Sequence, residues 1–425
     1  MSEEQNKKGY LETKVIEGEI KYPNEPARWT GNHINDLLLW ANDNRASDIT
    51  IQTEEQIMLE INGKLYRVTN RRLDNTEVFD IIVATYGSDS AKATLNGVHD
   101  LDWAHEIRPT RSQRVRFRMN ATPIFARGEK GVQITARTIP SSPPKLEELG
   151  IEQEIIDNMV SSQGMIIVTG ATGSGKSTLL AAIIRSILEN PESNKKILTY
   201  EAPIEFVYDS VDKPTCSIAQ TEIYKNLESF EAGTRNSLRR APDIILIGEA
   251  RDAETMGEAI VVSTTGHLLY TTVHTNGFAE TIRRMVNVFP AEEKNSRAFD
   301  IISALNMVIS QRLVPSTDGR RVALREYVIF NDEVRNYLLE AGVENLSLSS
   351  REVLKKYGRS FAQAAEIELN KGRISQATYK EVTDKVKMED KDVIKQIEKD
   401  SGKDNNSNKS ETEQLGELLL KLLAK

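Results

Sequence analysis

Cysteine is almost absent from this chain: Cys216 is the single one among 425 residues. One thiol can neither close an internal disulfide nor furnish a multi-cysteine zinc site, so secreted disulfide scaffolds are excluded and Cys216 reads as a small, partly buried residue. No apolar run approaches the ~18 residues of a membrane span. The first eight residues are charged and lack the apolar core of a secretory signal. Aromatic residues make up only 6%, which is thin for a surface that stacks bases. Neither sign of charge dominates: 55 Lys+Arg against 63 Asp+Glu give −8, which argues against a surface that grips nucleic acid throughout. What remains, 39% apolar and 28% charged residues, is the composition of a cytoplasmic, soluble globular protein of two or three domains.

The chain divides by pattern. Residues 1–28 are polar, with Pro23 and Pro26, and read as a flexible arm. Residues 29–139 mix helices and strands. Ile34, Leu37, Leu38 and Trp40 recur at helical spacing, and residues 76–86 read as a second helix. Asn62-Gly63 between two apolar runs is a hairpin signal, with residues 65–68 as the return strand. Residues 115–119 and 132–136 alternate at period two. A small α+β domain is expected. Pro140, Pro143 and Pro144 then mark a hinge over 140–150, since proline continues neither a helix nor a central strand. A short helix is expected over 146–160. Strands at 165–169, 196–200, 243–247 and 268–272 alternate with helices at 177–188, 227–240 and 253–262. That alternation predicts a parallel α/β sheet in a domain spanning 151–330. Residues 291–385 read as helical throughout, with a C-terminal helical region over 331–399. Residues 400–425 read as a disordered linker and a terminal amphipathic helix.

The chemistry concentrates in Gly170-Ala171-Thr172-Gly173-Ser174-Gly175-Lys176-Ser177, which matches the phosphate-binding pattern G-x-x-x-x-G-K-[ST]. An apolar strand enters it and an amphipathic helix leaves it. Glycines let the backbone turn its N–H groups toward a phosphate, and the helix N-terminus adds positive partial charge. Lys176 should reach the β- and γ-phosphates, and the Ser177 hydroxyl should ligate Mg²⁺. The stretch Asp243 to Glu249 is a buried-strand pattern ending in an acid. Parallel strands present ligand groups at their C-terminal ends, which puts Glu249 beside the phosphates, near the magnesium. Glu201 and Glu205 lie four apart across Pro203, where a carboxylate could accept a proton from, or orient, an attacking water.

Four segments now occur in a telling order: Gly170–Ser177, Glu201–Phe206, Asp243–Asp252 (D-I-I-L-I-G-E-A-R-D) and Thr265–Thr275 (T-G-H-L-L-Y-T-T-V-H-T). They resemble the Walker A, Asp box, Walker B and His box of the secretion-superfamily (type II/IV) ATPases, and the resemblance covers roughly residues 45–330. The nearest branch is PilT-like, which includes pilus retraction motors and the type IVB (Dot/Icm) secretion ATPases with their conjugative-plasmid counterparts. The resemblance implies a RecA-like parallel-sheet ATPase domain after a small, PAS-like α+β domain. It implies ATP and Mg²⁺ as ligands, held by Gly170, Thr172, Gly173, Ser174, Gly175, Lys176, Ser177 and Thr178, with Ser177 and Glu249 serving the metal, the latter directly or through water. It implies that Glu205 activates water, supported by Glu201. His274 and His267 match the His box, and Arg235 and Arg239 match arginines that reach a nucleotide as sensors or fingers. Arg116 and Arg118 match a strand that closes over the nucleotide. It implies a homohexamer, cytoplasmic and recruited peripherally to a membrane-bound secretion or conjugation complex, with no transmembrane segment. Ala171, Ala202 and Ala241 depart from the commoner pattern; Ala202 removes one acid of the Asp box, leaving Glu201 and Glu205 to suffice. The lone cysteine argues against the zinc-bearing assembly branch.

Three features stay open. Arg108, Arg111, Arg114, Arg116, Arg118 and Arg127 form a basic cluster that fits a nucleotide-binding wall, a solvated face or a nucleic-acid footprint. His267 and His274 fit hydrogen-bonded coupling, a satisfied core or a metal pair. Leu415, Leu418, Leu419, Leu422 and Leu423 form one apolar face, suited to docking on a protein or, less well, a membrane surface. For function, a secretion or conjugation motor, a pilus retraction motor and a direct DNA translocase are the alternatives. The scarcity of base-stacking aromatics disfavours the last.

Overall fold

The computed structural model describes residues 20–401 apart from 62, 111, 112, 140 and 141, with side chains up to residue 388. The chain forms two compact units, each discontinuous in sequence: the residues up to Lys145 with Ile184–Gly233, and Leu146–Ile183 with the residues from Thr234 onward.

In the first unit, helix α1 (Gly31–Asp43), strands β1 (Asp48–Gln52), β2 (Met58–Ile61) and β3 (Lys64–Arg67), helices α2 (Asn75–Tyr86) and α3 (Ser90–Asn96), and strands β4 (Leu101–Ile107), β5 (Val115–Ala126) and β6 (Glu129–Ile139) follow in order. The six strands make one antiparallel sheet in the order β3-β2-β1-β6-β5-β4. Ile61 pairs with Lys64, so the expected hairpin closes through a two-residue loop. Asp74 accepts from the Glu77 N–H and the Glu77 carboxylate accepts from the Asp74 N–H, which caps α2 at both orphan donors. Trp29, Leu37, Leu38, Ile49, Ile51, Ile81 and Phe117 are fully buried between helices and sheet.

The chain continues through α4 (Gln153–Asn158), β7 (Gly164–Thr169), α5 (Lys176–Glu189), β8 (Lys196–Glu201), β9 (Ser217–Glu222), α6 (Phe230–Ser237), β10 (Ile244–Ile247), α7 (Ala253–Thr264), β11 (Leu268–Val273), α8 (Phe278–Asn287), α9 (Lys294–Ala304), β12 (Leu305–Pro315) and β13 (Arg321–Ile329). Four helices close it: α10 (Asp332–Ala341), α11 (Leu346–Tyr357), α12 (Phe361–Asn370) and α13 (Gln376–Ser401). Strands β8 and β9 pair in parallel within the first unit. The second unit holds β13-β12-β7-β11-β10 in that order, with β12, β7, β11 and β10 parallel and β13 antiparallel at the edge. Every residue of β7 and β11 is buried, which explains their near-continuous apolar runs: helices cover both faces of a parallel sheet.

The reading of 291–385 as uninterrupted helix is wrong. Residues 305–315 and 321–329 form the β12–β13 hairpin. A short apolar run buried on both faces has no period that separates strand from helix. Helix 146–160 is also broken: a 3-10 turn at Leu146–Leu149 precedes α4, with Gly150 at φ +54° between them. The expected linker and terminal helix lie almost wholly outside the described residues.

Candidate active site

Strand β7 delivers the phosphate loop, and packing explains its glycines. Gly170 has φ +149°, and a Cβ there would lie 2.5 Å from both the Gln311 carbonyl oxygen and Ser174 Oγ. Gly175 has φ +85°, with the Gln311 side-chain amide 2.9 Å from a Cβ. Both glycines therefore admit the loop against β12 where no other residue fits. Lys176 opens α5 and is only 7% exposed. Its Nζ donates to the carbonyls of Gly170 (2.9 Å) and Ala171 (3.1 Å), which folds the ammonium over its own loop. Ser174 Oγ is buried without a hydrogen-bond partner among the described residues, while Thr172 and Gly173 are exposed.

Gln311 fixes this loop from behind. Its Nε2 donates to the Ser174 carbonyl at 2.8 Å, and its Oε1 accepts from Arg325 Nε at 2.8 Å. Arg325, 2% exposed, also donates to the carbonyls of Leu149 (3.0 Å) and Gly150 (3.2 Å) and to the Glu152 carboxylate (3.0 Å). Sequence reasoning gave neither residue a role. The available signal was a glutamine and an arginine inside otherwise apolar stretches, since a buried polar group implies a partner.

The ends of β10 and β11 supply the next groups. Glu249 follows β10, and its carboxylate accepts from Arg251 Nη2 at 2.7 Å and lies 3.4 Å from His274 Nε2. Thr272 Oγ1 donates to the Gly248 carbonyl at 2.7 Å, which ties the Glu249 turn to β11. Thr169, Thr275 and Thr281 join through their hydroxyls, linking the ends of β7 and β11. His267 and His274 flank opposite ends of β11. At about 3.3 Å per residue they stand roughly 20 Å apart, so they cannot share one metal ion. Among the described residues no group of His, Cys, Asp or Glu has a metal-binding arrangement of its own.

Glu201, Glu205, Arg116 and Arg118 come together in the first unit. Arg116, 4% exposed, donates to the carbonyls of Ile204 (2.9 Å) and Glu205 (3.3 Å). Its guanidinium is thus committed to shaping the acid loop. Arg118 Nη1 stands 3.9 Å from Glu205 Oε1. Glu201 as a residue is half-buried, but its carboxyl is desolvated, which pushes its pKa up to about 7 despite hydrogen bonds from Thr199 (2.7 Å) and Gln220. Such a carboxyl can give or take a proton near neutrality. Elsewhere in the arginine cluster Arg108 pairs with Glu106, Arg114 with Asp209 and Arg127 with Glu54, and Arg111 lies outside the described residues. Arg235 and Arg239 are exposed at and just beyond the end of α6.

A family model for type II/IV secretion system proteins matches residues 28–414. The chain belongs to this family, the secretion ATPases. It is 35% identical over 313 residues to the type IV pilus retractation ATPase PilT of Pseudomonas aeruginosa, covering 74% of this chain and 87% of that one. Its structure is similar to that of the Legionella pneumophila ATPase DotB, with TM-score 0.79 and 44% identity over 86% of this chain and 99% of that one. It is also similar to the pilus retraction motor PilT solved with bound ADP, with TM-score 0.69 and 29% identity over 82% and 96%. Its mixed α/β architecture, with a parallel sheet behind a phosphate loop, is that of these ATPases. No helix among the described residues is long and apolar enough to cross a membrane.

Proposed function

We propose that this chain is a homohexameric motor that hydrolyses ATP with Mg²⁺ and powers a type IVB (Dot/Icm-like) secretion or conjugative transfer machine from the cytoplasmic side of the membrane. The observation that carries this reading is the 44% identity to DotB across nearly all of that chain, against 29% to the PilT structure. The loop from Gly170 to Thr178 would hold the phosphates, with Lys176 neutralising them. The metal fits the residues present. The Ser177 hydroxyl makes no hydrogen bond among the described residues, and the Glu249 side chain is 17% exposed; both offer the hard oxygens that Mg²⁺ prefers. Bound there, Mg²⁺ would neutralise charge on the transferred phosphate. Glu205 would activate the attacking water, with Arg116 holding its loop and Glu201 exchanging protons. Glu249, oriented by Arg251 and His274, would keep a fixed negative charge at the end of β10. Arg235 and Arg239 would reach the nucleotide as sensors or fingers, and Arg118 would act from the strand that closes over it.

A pilus retraction motor is the second reading, favoured by the 35% identity to PilT of P. aeruginosa. The purified chain should release phosphate from Mg·ATP, run as a hexamer in native mass spectrometry, and lose hydrolysis in Lys176→Ala, because no other loop residue supplies that charge. Wild-type turnover by Lys176→Ala would end the proposal. Deleting the gene should abolish transfer of protein or DNA to a recipient; loss of pilus retraction instead would select the second reading.

A further inference from the structure

The C-terminal helix α13 reaches the phosphate loop. Thr378, Glu381, Val382 and Lys385 are spaced i, i+3, i+4, i+7 and so form one stripe. That stripe lines a pocket of about 370 Å³ whose other walls are residues 170–174 of the loop and 311–315 of β12. The volume lies within the range of small-ligand sites. Val382 is 6% exposed and packs in one apolar cluster with Val314, Leu324, Phe361 and Ile374, so α13 is docked on the β12–β13 hairpin. Beside Val382 the Thr378 hydroxyl meets Ser375 Oγ at 3.0 Å, while three charged groups of the pocket form no ion pair among the described residues. Glu381 and Lys385 stand in the order that favours an intrahelical pair, yet neither forms an ion pair with any described residue, and neither does Arg321 across the pocket.

We infer that the α13 stripe is the wall against which the nucleoside end of the bound nucleotide rests; this builds on the ATP-binding reading above. The loop takes the phosphates, and the cavity continues from it over the end of β12 to α13. Leu313 and Val314 offer an apolar surface to the base. Thr378, Glu381 and Lys385 offer one hydroxyl, one acceptor and one donor to the ribose hydroxyls and the base edge. A helix that the sequence sets far beyond the ATPase motifs thereby becomes part of their ligand pocket.

The test compares ADP with inorganic tripolyphosphate, which has phosphates and no nucleoside, by calorimetric titration of the full chain. In Glu381→Ala/Lys385→Ala the Kd for ADP should rise about tenfold, the loss of two hydrogen-bonding partners. The tripolyphosphate Kd and the urea midpoint should not move, since both side chains are exposed. Thr378→Trp, which fills the pocket, should exclude ADP and still admit tripolyphosphate. An ADP Kd within twofold of the parent in both variants overturns the inference. So does equal weakening of both ligands in the double variant, which would put these side chains on the phosphates. A parent chain that binds neither ligand, with Lys176→Ala no different, would overturn the ATP-binding reading itself.

Discussion

Replacing Gln311 with alanine removes two hydrogen bonds at once and leaves both partners buried. The bond to the Ser174 carbonyl is neutral and contributes roughly 1 kcal/mol; the bond from Arg325 is charge-assisted and contributes roughly 1.5–3 kcal/mol. Arg325 keeps the carbonyls of Leu149 and Gly150 and the Glu152 carboxylate, so the lower end applies to it. The expected cost is about 2.5 kcal/mol in urea unfolding of the unit that carries the loop. Gln311→Glu separates the two bonds. It keeps an acceptor for Arg325 and places a carboxylate against the Ser174 carbonyl, where the amide donated. Stability should fall less than in Gln311→Ala, while the KM for ATP rises about tenfold as the loop loses its rear support. A Gln311→Ala cost below about 1 kcal/mol, or a wild-type KM in Gln311→Glu, would refute the view that this side chain sets the loop.

Three further outcomes are expected. Glu249→Gln should bind ATP and barely turn over, because the amide keeps the shape and loses the charge; steady-state phosphate release with a parallel binding titration checks this, and undiminished turnover would leave the chemistry to Glu205 alone. Glu201 in the folded chain holds its proton to about pH 7, against 4.5 as its ordinary value. The folded state therefore binds more protons between those values, and stability falls as pH rises through that window, by on the order of 2–3 kcal/mol. Glu201→Gln should flatten urea midpoints between pH 5 and 8; an unchanged slope would show that the carboxyl is solvated. Arg116→Ala should lower kcat by freeing the loop at Ile204 and Glu205 while leaving KM for ATP unchanged, whereas a raised KM would place Arg116 on the nucleotide.

The phosphate loop was legible because its requirements are local: glycines for the turn, a lysine, a hydroxyl, and a strand and helix on either side. Glu249 was legible for the same reason, as an acid at the end of a buried strand. The β12–β13 hairpin was not, because burial on both faces erases the alternation that marks a strand. With the hairpin went Gln311, Arg325 and the stripe on α13, whose relation to the loop exists only after strands distant in sequence pair. The two histidines show the converse. Seven residues apart they look like a pair, yet extended backbone carries them to opposite ends of β11, and only His274 meets Glu249. Arg116 was legible as a cation, but its partners are carbonyls, which sequence does not display.

The grip of Arg325 on Leu149, Gly150 and Glu152 also has a mechanical meaning. A stretch rich in proline suggests a pivot over 140–150, but its last residues are bolted to β13 by a buried guanidinium. The same head group also meets the Gln311 amide, which in turn holds the Ser174 carbonyl, so the end of this stretch and the phosphate loop are joined by three consecutive hydrogen bonds.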